Sequence, residues 1–368
     1  MKVLITGADG FVGKNLQLRL LERKDVEVVT YTRSDRLTDL PARLAGVDVV
    51  FHLAGVNRPK DPQEFVTDNA DLTQALAHAV RREGRAIRVL LASSTQARLD
   101  NPYGSSKRVA EQTVMALPVV NGVSSHVFRL PNVFGKWCKP NYNSVVATFC
   151  HNKAHDLPVQ ISDSTARIRL VYVDDVVNAF LSAVATPWSG LVRPVLAPEY
   201  SITLGELSGQ IDAFKNCRTT LVSERVGTGL TRALYATYVS YLPKDKFAYE
   251  VPVYGDARGV FVEMLKTPDA GQFSYFTAHP GVTRGGHYHN TKTEKFLVIK
   301  GEALFRFRNL LNNSLVEMRT NHTKPQIVDT IPGWTHDITN VGVSEMIVLL
   351  WANENFEAER PDTYANKV

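Results

Sequence analysis

Cysteine is scarce in this chain, with Cys138, Cys150 and Cys217 the only three in 368 residues and no CxxC among them. That excludes a disulfide framework and a cysteine-built zinc site, and reduced thiols are the expectation. No apolar run reaches the roughly 18 residues that a membrane-spanning helix needs, so membrane insertion is not expected. The opening Met-Lys-Val-Leu-Ile-Thr-Gly reads as a short strand meeting a glycine turn, without the long apolar region of a secretion signal. A cytoplasmic location is therefore expected. Blocks of like charge are missing too: 42 basic and 37 acidic residues are dispersed to a net +5. Nucleic-acid binding is not expected, whereas an anionic small-molecule substrate is compatible. Internal repeats and low-complexity tracts are also absent.

The pattern that remains divides in two, as the length alone suggests. Short apolar runs at 2–6, 26–31, 47–53, 87–93 and 126–130 read as buried parallel strands. Helical periodicity at 12–21 and 66–82 alternates with them, and further helices are expected at 173–185 and 204–214. That βαβ rhythm predicts an α/β, Rossmann-type doubly wound parallel sheet over residues 1–243. From 244 to 368 the texture changes to short β segments at 259–266, 273–278, 295–299, 303–307 and 346–351, broken by Gly, Pro and Asn. Such spacing predicts an all-β domain, a small antiparallel barrel or jelly roll.

Chemistry-bearing residues fall in both halves. The strand Val3-Leu4-Ile5 runs into Gly7-x2-Gly10-x2-Gly13, with Asp9, Phe11 and Val12 between the glycines. Glycines there allow a tight turn and let a pyrophosphate approach the helix N-terminus. An NAD-selective site commonly carries an acidic residue at the end of the second strand. Here that position reads Tyr31-Thr32-Arg33-Ser34-Asp35-Arg36. Arg33, Ser34 and Arg36 suit a 2′-phosphate, so NADPH is the expected cofactor; the alternative is two solvated surface arginines. Downstream, Tyr103 and Lys107 lie four apart on one helical face, after Ser94 at a strand end. A lysine ammonium there can lower the tyrosine pKa, and the phenol can protonate a ketone oxygen as hydride arrives.

In the rear half, Gly281-x5-His287-x-His289-x4-Glu294-x6-Gly301 places two imidazoles on one side of a strand, with a carboxylate close behind. With His336 they form a candidate set of divalent-metal ligands. Zinc is the first choice, with nickel, iron and manganese left open.

On these motifs, residues 1 to about 240 resemble an extended short-chain dehydrogenase/reductase of the nucleotide-sugar type. Further matches are the stretch from Phe51 through Leu53, Ala54 and Gly55, then Asn69, and Arg129-Leu-Pro-Asn132. The resemblance implies that Leu53, Ala54 and Gly55 line the cofactor. It implies that Ser94 and Tyr103 bind the keto oxygen, that Lys107 holds ribose and that Asn69 supports a proton relay. Arg58, Arg129 and Asn132 would contact the sugar nucleotide. Tyr103 follows Ser94 by only nine positions, short for that family.

The rear box is similar to a cupin motif, and Gly333-x2-His336-x3-Asn340 matches part of a second one. It also resembles the dTDP-sugar 3,5-epimerase type of cupin, in which the histidine matching His287 is a base and no metal is used. His287 is thus open to two assignments, ligand or base, with Tyr288, Lys292 and Lys295 as other candidate bases. The whole chain resembles CapF-type capsular polysaccharide enzymes, through residues 54–59, 134–143 and 361–364. That implies a cupin-domain C3 epimerisation of a UDP-2-acetamido-2,6-dideoxy-4-keto-L-hexose, followed by NADPH-dependent reduction at C4. The product would be UDP-2-acetamido-2,6-dideoxy-L-talose, a precursor of UDP-N-acetyl-L-fucosamine for capsule or O-antigen. A homodimer or higher homo-oligomer is implied as well. Two alternatives remain: a reductase whose cupin only binds or oligomerises, and a non-catalytic sugar-nucleotide sensor.

Overall fold

The apolar runs of the first half become strands β1 (Lys2–Thr6), β2 (Glu27–Tyr31), β3 (Val49–His52), β4 (Arg88–Ser94) and β5 (Ser124–Leu130). Then follow β6 (Asn132–Phe134), β7 (Arg167–Tyr172), β8 (Leu191–Val192) and β9 (Tyr200–Thr203). The computed structural model describes residues 1–118, 124–186, 190–290, 292–359 and 361–368. A parallel sheet runs in the order β2-β1-β3-β4-β5-β8, and a separate small sheet in the order β6-β7-β9.

Helices α1 (Phe11–Leu21), α2 (Leu40–Leu44), α3 (Leu72–Arg82) and α4 (Pro102–Met115) connect the strands. Both faces of the main sheet are covered, which is why its strands are apolar on both sides. On one face Leu44, Leu76, Val80 and Val114 are buried; on the other Leu16, Leu20 and, from the helix Val173–Ala185, Val176 and Phe180. The helix expected at 66–82 divides into a π-type turn, Val66–Asp71, and α3. The strand order reverses between β1 and β3, and a ligand crevice belongs at such a switch point.

The second half is all-β, as its segment spacing indicates. Its strands are β10 (Val253–Asp256), β11 (Gly259–Lys266), β12 (Gln272–Ala278), β13 (Thr283–Tyr288), β14 (Glu294–Lys300) and β15 (Glu302–Asn309). They continue as β16 (Leu315–Asn321), β17 (Ile327–Asp329), β18 (Trp334–Asn340), β19 (Met346–Ala352) and β20 (Tyr364–Ala365). Two antiparallel sheets result, β10-β11-β12-β19-β14-β17 and β16-β15-β18-β13-β20. Phe276, Phe296 and Val348 of the first sheet share one buried cluster with Phe305, Phe307 and Ile338 of the second.

The chain separates into two compact units, residues 1–211 with 232–243, and residues 212–231 with 244–368. Segment 212–231 joins the all-β unit because Val222 bridges Lys266, with Ser223 N–H donating to the Lys266 carbonyl and Lys266 N–H to Leu221. The last passage from one unit to the other falls at 243/244.

Candidate active site and metal centre

In the first unit a cleft of about 1510 Å³ opens where β1, β3 and β4 end. Gly7 has φ +71°, and a Cβ there would stand 2.6 Å from Ala54 N; a Cβ on Gly13 would stand 2.3 Å from the Gly7 carbonyl. Only glycine permits this packing, which seats the start of α1 against the turn. Gly7, Asp9, Gly10, Phe11, Val12, Leu53, Ala54 and Gly55 all line the cleft.

At the cofactor-selecting end, Arg33 lines the cleft and is 79% exposed, its guanidinium 3.9 Å from Asp68. The neighbouring Asp35 is committed locally. Its Oδ2 accepts from Thr32 N–H (2.8 Å) and Thr32 hydroxyl (3.1 Å), and its Oδ1 accepts from Arg43 (2.6 Å). Ser34 and Arg36 are not among the lining residues.

Farther in, Ser94, Tyr103, Lys107 and Asn132 share the cleft. The short span between Ser94 and Tyr103 is taken up by a 3-10 turn, Thr95–Arg98, and by Asn101, whose side chain caps α4 at Gly104 N–H (2.7 Å). Tyr103 then begins α4 and Lys107 follows one turn on. Lys107 is buried, donates to the Ala92 carbonyl (3.3 Å) and lies 5.9 Å from the Tyr103 ring centroid. Burial pushes its pKa down to about 8, with Glu111 opposing. For Tyr103 the expected direction is reversed. Burial raises its pKa, because desolvation of a phenolate outweighs the hydrogen bond with Ser94. The phenol is therefore held protonated, the form a proton donor requires.

Behind this pair, Asn69 is buried and does not line the cleft. Its amide bonds Val56 N–H (2.9 Å), the Val56 carbonyl (3.1 Å) and Ser106 Oγ (3.0 Å), and Ser106 donates to the Tyr103 carbonyl (2.8 Å). Asn69 Oδ1 and Lys107 Nζ lie 2.6 and 3.1 Å from where a Gly55 Cβ would stand. Arg129, expected at the substrate, instead grips Glu111 through two hydrogen bonds (2.8 and 2.6 Å), and Ser93 donates to the same carboxylate (2.5 Å). Burial pushes the Glu111 carboxyl up, but Arg129 and Ser93 outweigh it and hold it below its ordinary value. Arg58 is outside the lining and bonds Asn143 (3.1 Å). Asn132 is in the lining, its amide donating to the Arg169 carbonyl (3.0 Å). Reading by motif missed Trp137, Lys139, Tyr142, His151 and Tyr241, which extend the cleft past Asn132. The first three lie within the stretch 134–143 that carries the family resemblance, which was the available signal; His151 and Tyr241 carry no local signal.

In the second unit His287, His289, Glu294 and His336 converge, each offering a ligand atom within 4.8 Å of the others. His287 and His336 face each other across the β13–β18 ladder, after a bulge at Gly285. Gly285 has φ +93°, and a Cβ there would stand 2.9 Å from the His336 carbonyl, so the bulge that turns His287 inward needs glycine. Glu294 arrives from the other sheet as the first residue of β14. The His289 Nε2 lies 3.2 Å, and the His336 Nε2 3.4 Å, from one Glu294 oxygen. His289 Nδ1 faces the Asp362 carbonyl, which only accepts, so Nδ1 carries the hydrogen and Nε2 presents a lone pair. Neither ring nitrogen of buried His336 makes a hydrogen bond. Several electron pairs aimed at one point, with two buried nitrogens unsatisfied, fit a cation. Lys292 Nζ lies 3.3 Å from the other Glu294 oxygen. Burial pushes the Glu294 carboxyl up, and the Lys292 ammonium opposes it. Burial and the neighbouring His336 push His287 down to about 4, leaving a neutral imidazole.

A dinucleotide-type crevice with a tyrosine–lysine pair one helical turn apart at its switch point defines the class, a nicotinamide-dependent enzyme of the short-chain dehydrogenase/reductase kind. Residues 3–195 match the NAD dependent epimerase/dehydratase family, and 254–364 match the polysaccharide biosynthesis C-terminal domain. The chain belongs to the NAD dependent epimerase/dehydratase family and, with that C-terminal domain, to its CapF type. It is 58% identical over 368 residues to a UDP-2-acetamido-2,6-beta-L-arabino-hexul-4-ose reductase of Pseudomonas aeruginosa, covering 100% of this chain and 99% of that one. A capsular polysaccharide assembling protein CapF from Staphylococcus aureus superposes with TM-score 0.92 at 38% identity, covering 100% of both chains. A UDP-glucuronic acid 4-epimerase of Bacillus cereus shares the fold alone, at TM-score 0.55 and 18% identity over 66% of this chain and 98% of its own.

Proposed function

We propose that this protein is a two-step nucleotide-sugar enzyme. The second unit epimerises C3 of a UDP-2-acetamido-2,6-dideoxy-4-keto-L-hexose, and the first then reduces the C4 ketone with NADPH to UDP-2-acetamido-2,6-dideoxy-L-talose. The observation that carries the reduction is the half-buried Tyr103 beside buried Lys107, with Ser94, in the cleft beside the glycine turn. NADPH supplies the hydride. Ser94 and Tyr103 hold the ketone oxygen, and Tyr103 gives up its phenolic proton there. Lys107, one turn further along α4, holds the ribose and offsets the charge left on Tyr103. Asn69, through Ser106, fixes the backbone at Tyr103. Preference for NADPH is supported by Arg33 in the cleft and by Asp35, whose acceptors are already occupied. The relative's name supports a C4 ketone on a UDP-linked sugar.

The ketone gives a reason for the second unit. A C–H beside a carbonyl is acidic, so C3 can invert through deprotonation only while C4 remains oxidised. His287, His289, Glu294 and His336 would hold a divalent metal, zinc first, whose Lewis acidity stabilises the developing enolate charge. Reduction then removes that acidity and locks the centre. Surface polysaccharide precursor synthesis, a cytoplasmic location and a homo-oligomeric state complete the proposal.

Incubation of the keto sugar nucleotide in D₂O without NADPH tests the first step. Deuterium is expected at C3 by NMR; a C3 that stays fully protonated would leave only the reductase. Tyr103→Phe should lower NADPH oxidation by about 10²- to 10⁴-fold while leaving that exchange intact, and an unchanged oxidation rate would remove Tyr103 from the chemistry.

A further inference from the structure

We propose that residues 361–364 latch the metal box, with Asp362 as its positioning residue. The inference rests on the metal reading above.

Asp362 acts at two points. Its carbonyl accepts the His289 Nδ1 hydrogen, and Thr363 Oγ1 lies 3.4 Å from the same nitrogen. Its carboxylate accepts Asn290 N–H (3.0 and 3.1 Å to its two oxygens), the Asn290 side-chain amide (3.3 Å) and Lys292 N–H (2.8 Å). His289 and Asn290 leave β13 of one sheet, and Lys292 and Thr293 lead into β14 of the other, so these four residues bear on the distance between His289 and Glu294. One residue thus fixes the tautomer of one ligand and the connection that delivers another. The segment is itself held in place. Pairing of β20 with β13 sets Tyr364 opposite Tyr288, their rings stacked at 5.2 Å and 26°, and Ala365 opposite His287. A loosened latch frees the His289 ring to turn, and the Nε2 lone pair no longer points into the box. Outer partners of this kind are commonly worth 10–100-fold in metal affinity.

Co²⁺ binding to the full chain tests this, by chelator competition and by the visible absorption of the bound ion. Asp362→Ala is expected to weaken affinity about 10–100-fold and to change the Co²⁺ spectrum, which a purely structural role would not do. Asp362→Asn preserves shape but offers one acceptor oxygen where two are used, so its affinity should fall between. If Asp362→Ala does not fold, Asp362→Asn decides: weakened binding supports the latch and unchanged binding overturns it. Unchanged affinity and spectrum in folded Asp362→Ala overturn the latch alone. A parent protein that binds no Co²⁺ overturns the metal reading and the latch with it.

Discussion

At the scale of single residues, burial decides what each ionisable group can do. Lys107 is a cation whose pKa is pushed down to about 8 by desolvation, with Glu111 opposing. Below that pH the ammonium is present; above it the amine is neutral and loses its electrostatic hold. The free-enzyme profile, kcat/KM against pH, should therefore fall through an alkaline limb near 8, and Glu111→Gln should move it lower. A limb near the ordinary lysine value would contradict the assignment. Arg129 presents the opposite case. Its type and motif suggest substrate, yet its guanidinium closes on a carboxylate 3% exposed. Arg129→Ala leaves buried Glu111 without its ion-pair partner, held only by Ser93, at a cost of about 3 kcal/mol. Urea unfolding should show that loss with KM for the sugar nucleotide little changed. A raised KM at full stability would return Arg129 to the substrate.

Among the elements, the decisive ones are the turns that bring backbone close to a ligand or to another turn. Gly7→Ala would place a Cβ 2.6 Å from Ala54 N in a conformation with φ +71°. Strain of about 1–3 kcal/mol is expected, with roughly tenfold weaker NADPH binding, read by thermal unfolding and fluorescence titration. Wild-type affinity would mean that the turn adapts. Strands and this glycine turn were legible beforehand, because periodicity and glycine spacing are local properties. The π-type turn at Val66–Asp71 was not, since its pattern reads as one continuous helix with α3. The Gly285 bulge was equally hidden, although both histidines it serves were named. Side-chain type marks a ligand, whereas register with β18 is a property of another part of the chain.

For the whole molecule, the proposed function assigns two chemistries on one substrate to two units. Removing the metal with a chelator should abolish deuterium exchange at C3 and spare NADPH oxidation with the C3-inverted ketone. Loss of both activities would show that the second unit also supports the first. The boundary itself illustrates long-range choice: residues 212–231 fold with the later strands through Val222 and Lys266, 44 positions apart.

The two fold classes, the glycine turn, the tyrosine–lysine pair and the three histidines and glutamate that converge in the second unit were all readable from the chain. Each is a short-range pattern of residue types with a fixed spacing. Only the folded chain shows that burial raises the Tyr103 pKa, that Arg129 pairs with Glu111, and that the Asp362 carbonyl meets His289 from 73 positions away. Those outcomes depend on desolvation and on partners from distant segments, and neither exists until the chain has folded.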